Sequence, residues 1–366
     1  MRIVCTQENL KSGLAIVGRI VSSSNTLPIL SNILMKTENG VLKIYSTNLE
    51  VAIITQIRCR VEEDGEATVV AKTFGELINN MPNQNITIKT EGGELVIDNE
   101  NYHTNLKTLP PEDFPLIPKL DNKTPFSIDS QEFKNSLDVV FFAASTNQTQ
   151  PELCGVYVNL ENEKLKIAAT DRYRLAEKSL VLKNGFSGNV SMIIPQKTAA
   201  EISRIIGAHA GEVAVVVNSN QVGVDFNDTQ IISRLVDGQY PDYKQIIPEK
   251  FSTTLILPKQ PLVSALKAAA VFCQSNNSIK FNLDGKNQKL IITAESSEMG
   301  KSEVGLAASV DGEGAEIIFN HRYVLDCLNN LDTDNLVIKI VDDNSPCLIL
   351  PEGQADYLYL VMPIKS

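Results

Sequence analysis

The chain has 366 residues, room for two or three domains at roughly 100 to 200 residues each. Lys and Arg number 33 against 44 Asp and Glu, for a net charge of −11 and a pI near 4.9; this excludes a uniformly basic nucleic-acid binder and makes any anion-binding surface local. With 43% apolar and 21% charged residues the composition is that of an ordinary globular chain, and the longest apolar run, Val139 to Ala144, falls far short of the ~18 residues of a membrane span.

The first predicted element is an amphipathic helix carrying Leu10, Leu14, Val17 and Val21. Behind it, Ile33-Leu-Met35-Lys-Thr37 and Leu42-Lys-Ile44 alternate apolar with polar residues about an Asn-Gly turn, the pattern of a half-buried β-hairpin. A short apolar strand at Val69 and Val70 leads into a second helix, Lys72 to Asn80, and alternation resumes at Ile86-Thr-Ile88. The order then repeats. A helix with Phe133, Leu137, Val140, Phe141 and Ala144 precedes the hairpin Val156-Tyr-Val158-Asn-Leu160 and Leu165-Lys-Ile167, and Ile193-Ile194-Pro195 precedes a helix from Lys197 to Ile206. A third round has Leu262, Leu266, Ala269 and Ala270, the hairpin Ile279-Lys-Phe281-Asn-Leu283 with Leu290-Ile-Ile292, the strand Ile317-Ile318-Phe319, and a helix from Arg322 to Leu331.

Ile33, Val156 and Ile279 are spaced by 123 residues, and the rounds close alike at Phe114-Pro115, Tyr240-Pro241 and Met362-Pro363. A period of this kind marks three copies of one domain. Each copy reads as α+β, with two helices packed on mostly antiparallel sheet. Proline-rich segments near Pro115 to Thr124 and Ile247 to Thr254 put the expected domains at residues 1–118, 119–247 and 248–366.

Motifs for catalysis are missing from this frame. No phosphate-binding glycine loop, zinc-protease helix or nucleophile elbow occurs. The six cysteines form no C-x-x-C pair and are expected as free thiols in apolar surroundings, and the three histidines are too dispersed to hold a metal. Asp171, beside Arg172 and Arg174, is a candidate acid, but a loop aspartate next to arginines is more often a turn-former or ion-pair partner. The N-terminus shows no signal-peptide core, so the cytoplasm is the expected compartment. Repetition without chemistry favours a binding protein. The helices carry Lys11, Arg19, Lys72, Lys134, Lys197, Arg204, Lys267 and Arg322; these are either solvated faces or one surface turned to phosphates, and charge alone leaves both open.

Five segments, in order on the repeat, carry a resemblance: Thr26-Leu-Pro-Ile-Leu30 with Thr47-Asn-Leu-Glu50, Thr108 to Pro115, Ala169-Thr-Asp-Arg-Tyr-Arg-Leu-Ala176, Ser233 to Tyr243, and Val361-Met-Pro-Ile-Lys365. Through them the chain resembles the bacterial DNA polymerase III β subunits, the sliding clamps, over essentially its whole length. The resemblance implies the DNA-clamp fold and a non-catalytic, head-to-tail homodimer closed around duplex DNA without sequence preference, needing no cofactor or metal. It places Lys11, Arg19, Lys72, Lys134, Lys197, Arg204, Lys267 and Arg322 toward DNA, and Leu106 against Val271 and Phe272 of the partner copy. It also implies that short linear peptides of the polymerase III catalytic subunit, the clamp loader, other polymerases and repair proteins dock in one pocket. By matching position its wall comprises Leu153, Thr170, Arg172, Tyr173, Arg174, Leu175, Pro241, Ile246, Asn320, Tyr323, Leu360, Val361, Met362, Pro363 and Ile364. Departures from the family pattern are Arg172 and Tyr173 where Gly and His are common, Gln245 where Arg is frequent, and Ser366 for an apolar terminus.

Overall fold

In the computed structural model, which describes residues 1–21, 27–118, 120, 125–183, 185–273 and 277–365, each of the three alternating segments is an antiparallel hairpin. Thr26, Thr124 and Ser366 lie outside the described residues. The first hairpin, Asn32–Glu38 with Val41–Thr47, turns on Asn39 and Gly40 at φ 53° and 78°. Two successive positive φ values make a turn whose twist matches that of the paired strands, and glycine adopts that backbone without steric cost. The alternation sorts side chains by face: Ile33, Met35, Leu42 and Ile44 are fully buried, as are Val156, Leu160, Leu165 and Ile167 and, in the third hairpin, Leu290 and Ile292. Each such side chain contributes about 1.5–3 kcal/mol relative to exposure.

Six helices are present among the described residues: α1 (Gln7–Val17), α2 (Ala71–Asn80), α3 (Ser130–Asp138), α4 (Gln196–Ile206), α5 (Lys259–Ala270) and α6 (His321–Asn330). Thr6 caps α1 by accepting from Asn9 N at 3.3 Å, and Asn320 caps α6 by accepting from Arg322 N at 3.0 Å, satisfying donors that have no partner within the helix. In every third, a side chain from the first turn of the first helix donates to a carbonyl at the end of the second. Gln7 Nε2 reaches Ile78 O at 2.7 Å, Gln131 Nε2 reaches Gly207 O at 3.3 Å, and Lys259 Nζ reaches Leu331 O at 2.6 Å. The orphan carbonyls of helix C-termini thus tie each helix pair together.

Two helices are shorter than their apolar spacing predicts. Val21 and Arg19 lie beyond α1, which ends at Val17 with Gly18 as its cap. Val140, Phe141 and Ala144 lie beyond α3, in and around a 3₁₀ turn at Phe141–Ala143. Val140, Ala143 and Ala144 are buried all the same; the spacing reports burial, which a 3₁₀ turn satisfies as well as an α-helix.

The chain packs as two compact units, residues 1–134 with 201–235, and residues 135–200 with 236–366. The first unit holds a five-stranded sheet in the order Arg60–Glu63, Arg2–Thr6, Asn85–Glu91, Glu94–Asp98, His103–Lys107. Its eight-stranded sheet runs Pro125–Asp129, Glu212–Val217, Gln221–Phe226, Thr229–Arg234, Val51–Ile57, Val41–Thr47, Asn32–Glu38, Glu66–Val70. The second unit holds a nine-stranded sheet, Asn189–Pro195, Gly155–Glu161, Lys164–Thr170, Arg174–Val181, Tyr357–Val361, Cys347–Pro351, Asn335–Ile340, Thr253–Pro258, Ser309–Asp311, and a four-stranded one, Gly300–Ala307, Lys289–Ser296, Ser278–Asp284, Ala315–Asn320. The pairings are antiparallel throughout.

The sheets therefore do not stop at the thirds, as the repeat taken alone suggests. Thr229–Arg234 of the middle third pairs with Val51–Ile57 of the first, and Arg174–Val181 pairs with Tyr357–Val361 of the last. An edge strand left open exposes a row of unpaired N–H and C=O groups, and these ladders cover it. At the first seam, Thr55 and Thr229 are register partners, and their buried hydroxyls lie 2.9 Å apart. Thr55→Val or Thr229→Val alone is expected to cost about 1–3 kcal/mol in urea unfolding, because one hydroxyl is left buried without a partner. The Val/Val double variant is expected to recover most of that loss; a double loss equal to the sum of the singles would refute the pairing.

Candidate functional site

The tight loop Asp171–Tyr173 joins strands Lys164–Thr170 and Arg174–Val181. Its shape is set by side-chain hydrogen bonds to its own backbone. Asp171 Oδ1 accepts from Tyr173 N and Arg174 N, both at 3.0 Å; Thr170 Oγ1 accepts from Arg172 N at 3.1 Å and donates to Arg174 O at 2.6 Å. This is the turn-forming chemistry expected of Asp and Thr. Closing the turn drives Arg172 to φ 78°, the left-handed region where a β-carbon is unfavourable, at the position where the resemblance leads one to expect glycine.

Behind the loop, Arg174 is nearly buried and held on two sides: Nε lies 2.9 Å from Asp171 Oδ2, and Nη1 lies 2.6 Å from Asp326 Oδ2 on α6. Its guanidinium also stands 4.6 Å from the Tyr323 ring centre and 5.8 Å from that of Phe142, within range of a cation–π attraction. Burial pushes the Asp171 carboxyl above its usual range while Arg174 pulls it down. With both oxygens engaged, Asp171 is a structural turn residue and ion-pair partner, not a free acid.

The C-terminal segment completes the site. Met362 N donates to Tyr173 O and Ile364 N donates to Ile318 O, each at 2.8 Å. The result is a cleft of about 470 Å³ lined by Arg172, Tyr173, Asn320, Tyr323, Met362, Pro363, Ile364 and Lys365. Tyr173, which is exposed, stacks on Tyr323 with ring centres 6.5 Å apart. Seven of the fifteen residues assigned to the pocket by resemblance thus line one cleft. Leu153, Thr170, Leu175, Leu360 and Val361 are buried; Leu153, Leu175 and Leu360 belong to a cluster with Tyr240 and Tyr243 against which Met362 packs. Beside that cluster, Tyr243 donates to the buried Glu177, which also pairs with Lys166 at 3.1 Å. Arg174 supports the loop from behind. Pro241 is exposed and Ile246 is 43% exposed, outside the cleft lining.

Lys365 and Asp326 carry weight that sequence reasoning did not assign. Lys365 was reachable as the next residue of the terminal segment, whereas nothing local marks Asp326, 152 residues from the arginine it holds.

Elsewhere, Lys11, Lys72, Lys197, Lys267 and Arg322 are exposed on their helices. Arg204 is exposed and ion-paired to Glu201 at 2.7 Å, Lys134 is half-buried with its stem beside Gly207, and Arg19 is exposed past the end of α1. Leu106 is half-buried on the edge strand His103–Lys107; Val271 is 64% exposed just beyond α5, with Phe272 half-buried next to it.

Family comparisons agree with this architecture. Residues 1–118, 127–242 and 244–365 match, in turn, the N-terminal, central and C-terminal domain models of the DNA polymerase III β subunit. A β sliding clamp of Synechocystis is 29% identical over 388 aligned positions, covering all of this chain and 99% of the relative; one from Caulobacter vibrioides is 29% identical with full coverage of both. The crystal structure of the β subunit from Pseudomonas aeruginosa superposes with a TM-score of 0.96 at 28% identity over both whole chains, and that of the Bacillus subtilis clamp with 0.95 at 25%. The fold is the three-domain DNA clamp, the architecture of non-catalytic processivity factors. The chain belongs to the β sliding clamp family, the β subunits of DNA polymerase III.

The loop strain at Arg172 is testable directly. Arg172→Gly is expected to raise stability by up to about 1 kcal/mol, the left-handed penalty less the entropy that glycine loses on folding, while Arg172→Val lowers it. Thermal unfolding of the two variants checks the sign; a destabilised glycine variant would show the loop to be unstrained.

Proposed function

We propose that two copies of this chain join head to tail into a ring that encircles duplex DNA and slides on it, tethering the replicative polymerase. The observation that carries the reading is a pair of open sheet edges on different units. His103–Lys107, with Leu106, ends the five-stranded sheet; Gly300–Ala307 ends the four-stranded sheet and packs against α5, which leads into exposed Val271. Each copy offers one edge of each kind, so each can complete the other, and a heterologous contact that closes makes a ring. The domains in this reading are residues 1–118, 119–247 and 248–366.

Lys11, Arg19, Lys72, Lys134, Lys197, Arg204, Lys267 and Arg322 face the DNA backbone. Cations on phosphates carry no sequence information, so binding is sequence-independent. Retention comes from topology, and the protein works in the cytoplasm beside its DNA. Dimer mass with retention on circular DNA and loss after linearisation is the expected outcome of a sizing and gel-filtration experiment; equal loss from both forms would overturn encirclement. Reversing Arg19, Lys72 and Lys197 to Glu is expected to shorten retention on circles.

The cleft beside Tyr173 and Met362 takes short linear peptides from the polymerase III catalytic subunit, the clamp loader, and other polymerases and repair proteins. Its Met, Pro, Ile and Tyr surfaces suit Leu or Phe anchors, and Asn320 and Arg172 supply donors at the rim. The unpaired backbone donors and acceptors of an extended peptide are what such a rim satisfies. Deleting residues 362–366 is expected to abolish binding of a polymerase-tail peptide in a fluorescence titration while the dimer survives. A variant that keeps the peptide, or that falls to monomers, would count against this site.

A further inference from the structure

The loop that shapes the Tyr173 cleft occurs a second time, 123 residues earlier in the chain. Thr47 Oγ1 accepts from Leu49 N at 3.0 Å and donates to Val51 O at 3.0 Å; Asn48 Oδ1 accepts from Glu50 N at 3.0 Å and Val51 N at 2.8 Å. Leu49 stands at φ 74°, as Arg172 stands at 78°. Arg234 N donates to Glu50 O at 3.0 Å, as Met362 N donates to Tyr173 O. The side chains presented there have diverged. Leu49 is 46% exposed, and across a small recess from it runs Pro115–Pro118, on which Leu116 is 98% exposed.

The other side of that proline-rich segment roofs a larger cleft of about 840 Å³, whose floor is the outward face of the eight-stranded sheet. Leu34, Tyr45, Ile54, Phe114, Leu116 and Ile117 supply its apolar surface. Among the described residues its charge is one-sided, with five carboxylates against two lysines, and both lysines are already ion-paired: Lys36 with Glu66 at 3.1 Å and Lys43 with Glu38 at 2.9 Å. Glu112, Asp225 and Asp228 have no cation partner among the described residues. Asp225 is the most telling, because its Oδ1 is buried without a hydrogen-bond partner, and burial raises its pKa. Gln230, its register partner, hydrogen-bonds the Asp225 carboxylate, and the exposed Asp228 lies beside it in the lining, so a cation entering the cleft meets negative charge that no cation neutralises. The Tyr173 cleft is opposite in character, lined among the described residues by Arg172 and Lys365 and by no carboxylate.

We propose that the cleft beneath Pro111–Pro118 is a second docking site, which takes a basic peptide segment of a protein partner carrying Leu- or Phe-sized anchors. The anchors cover Leu116, Ile117 and Tyr45, and a Lys or Arg of the peptide reaches Asp225 and Asp228. Charge selects the partner class, since a peptide suited to the cationic Tyr173 cleft meets unpaired carboxylates here. The inference stands on this cleft's own residues and does not depend on what occupies the other.

The test uses the full-length protein and a fluorescein-labelled octapeptide of alternating lysine and leucine, followed by anisotropy. Binding that weakens about tenfold in Asp225→Asn with Asp228→Asn, the loss of one charge-assisted contact, and also weakens in Leu116→Ser, is the expected result. The same peptide with glutamate for lysine is expected to bind at least tenfold more weakly still. Removal of residues 362–366 is expected to leave the basic peptide's affinity unchanged, separating this site from the Tyr173 cleft. The proposal is overturned if the Asp225/Asp228 and Leu116 variants bind like the parent. It is equally overturned if Glu249→Gln with Glu313→Gln, exposed acids outside the cleft, weakens binding as much, because general attraction to an acidic protein then explains it.

Discussion

The structure depends on what happens at the edges of its sheets. A domain of two helices on antiparallel sheet, repeated three times, creates open edges faster than it creates core, and each edge is a row of backbone groups that need partners. Within each unit the answer is continuation. Thr229–Arg234 extends the ladder begun by Asn32–Glu38 and Val41–Thr47, and Tyr357–Val361 does the same for Arg174–Val181. Seams made this way are as directional as any sheet interior. Register is fixed by which face is buried, and a slip by one residue would turn Ile53 and Ile231 outward. A chain that has solved its internal seams by strand pairing has the same device ready for the head-to-tail contact proposed above, which uses two of the edge strands still open, His103–Lys107 with Leu106 and Gly300–Ala307 against α5.

At each internal seam the backbone must reverse sharply between two strands while leaving room beside it. Thr170 with Asp171 and Thr47 with Asn48 meet that demand with the same four side-chain hydrogen bonds, and in both loops the cost appears as one residue held at positive φ. The conformation is dictated by hydrogen bonding, so the exposed side chains are free to differ. One loop presents Arg172 and Tyr173 and the other Leu49 and Glu50. Identical backbone with opposite surface chemistry is how a repeat protein acquires distinct binding sites without changing its fold. Arg174 shows the limit of that freedom. Nearly buried, and facing carboxylates on two separate elements, it cannot be altered without leaving Asp171 charged in a poorly solvated place.

Much of this was legible in the sequence because it is local. Period-2 alternation around Asn-Gly or Asp-Gly makes hairpins whatever the rest of the chain does, and the 123-residue spacing reveals the repeat. The helix ends were misjudged for a physical reason: Val140 and Ala144 keep the apolar spacing since they are buried, though the backbone has already left the α-helix. The seams were not legible, since nothing in Val51–Ile57 announces Thr229–Arg234 as its neighbour. The same holds for Asp326, whose charge reads as part of a solvated helix face until α6 is placed against Arg174. The pocket residues came from resemblance. The structure divides them into seven that line a cleft, a buried group that braces it, and Pro241 and Ile246, which stand exposed outside the lining, a division that depends on burial and is invisible to alignment by position.

The acidic total of −11 takes on a different meaning once charge is resolved by place. Carboxylates crowd the cleft under Pro111–Pro118, while exposed cations recur on α1, α2, α4, α5 and α6 at one or two per helix. Such a density is low for a protein that must hold nucleic acid by affinity, because each phosphate contact adds to the salt-dependent binding constant and many are needed for tight binding. It suits a protein that must not hold still. If these cations meet the duplex as proposed, their weak, separate phosphate contacts leave no deep minimum along it, so the barrier between adjacent positions stays small, while an overall negative charge discourages unspecific adhesion to DNA from outside. In the proposed ring, processive tethering rests on closure of the sheet edges rather than on the strength of any protein–DNA contact, and the same edges that made the fold a seam problem become the part of the molecule on which that function turns.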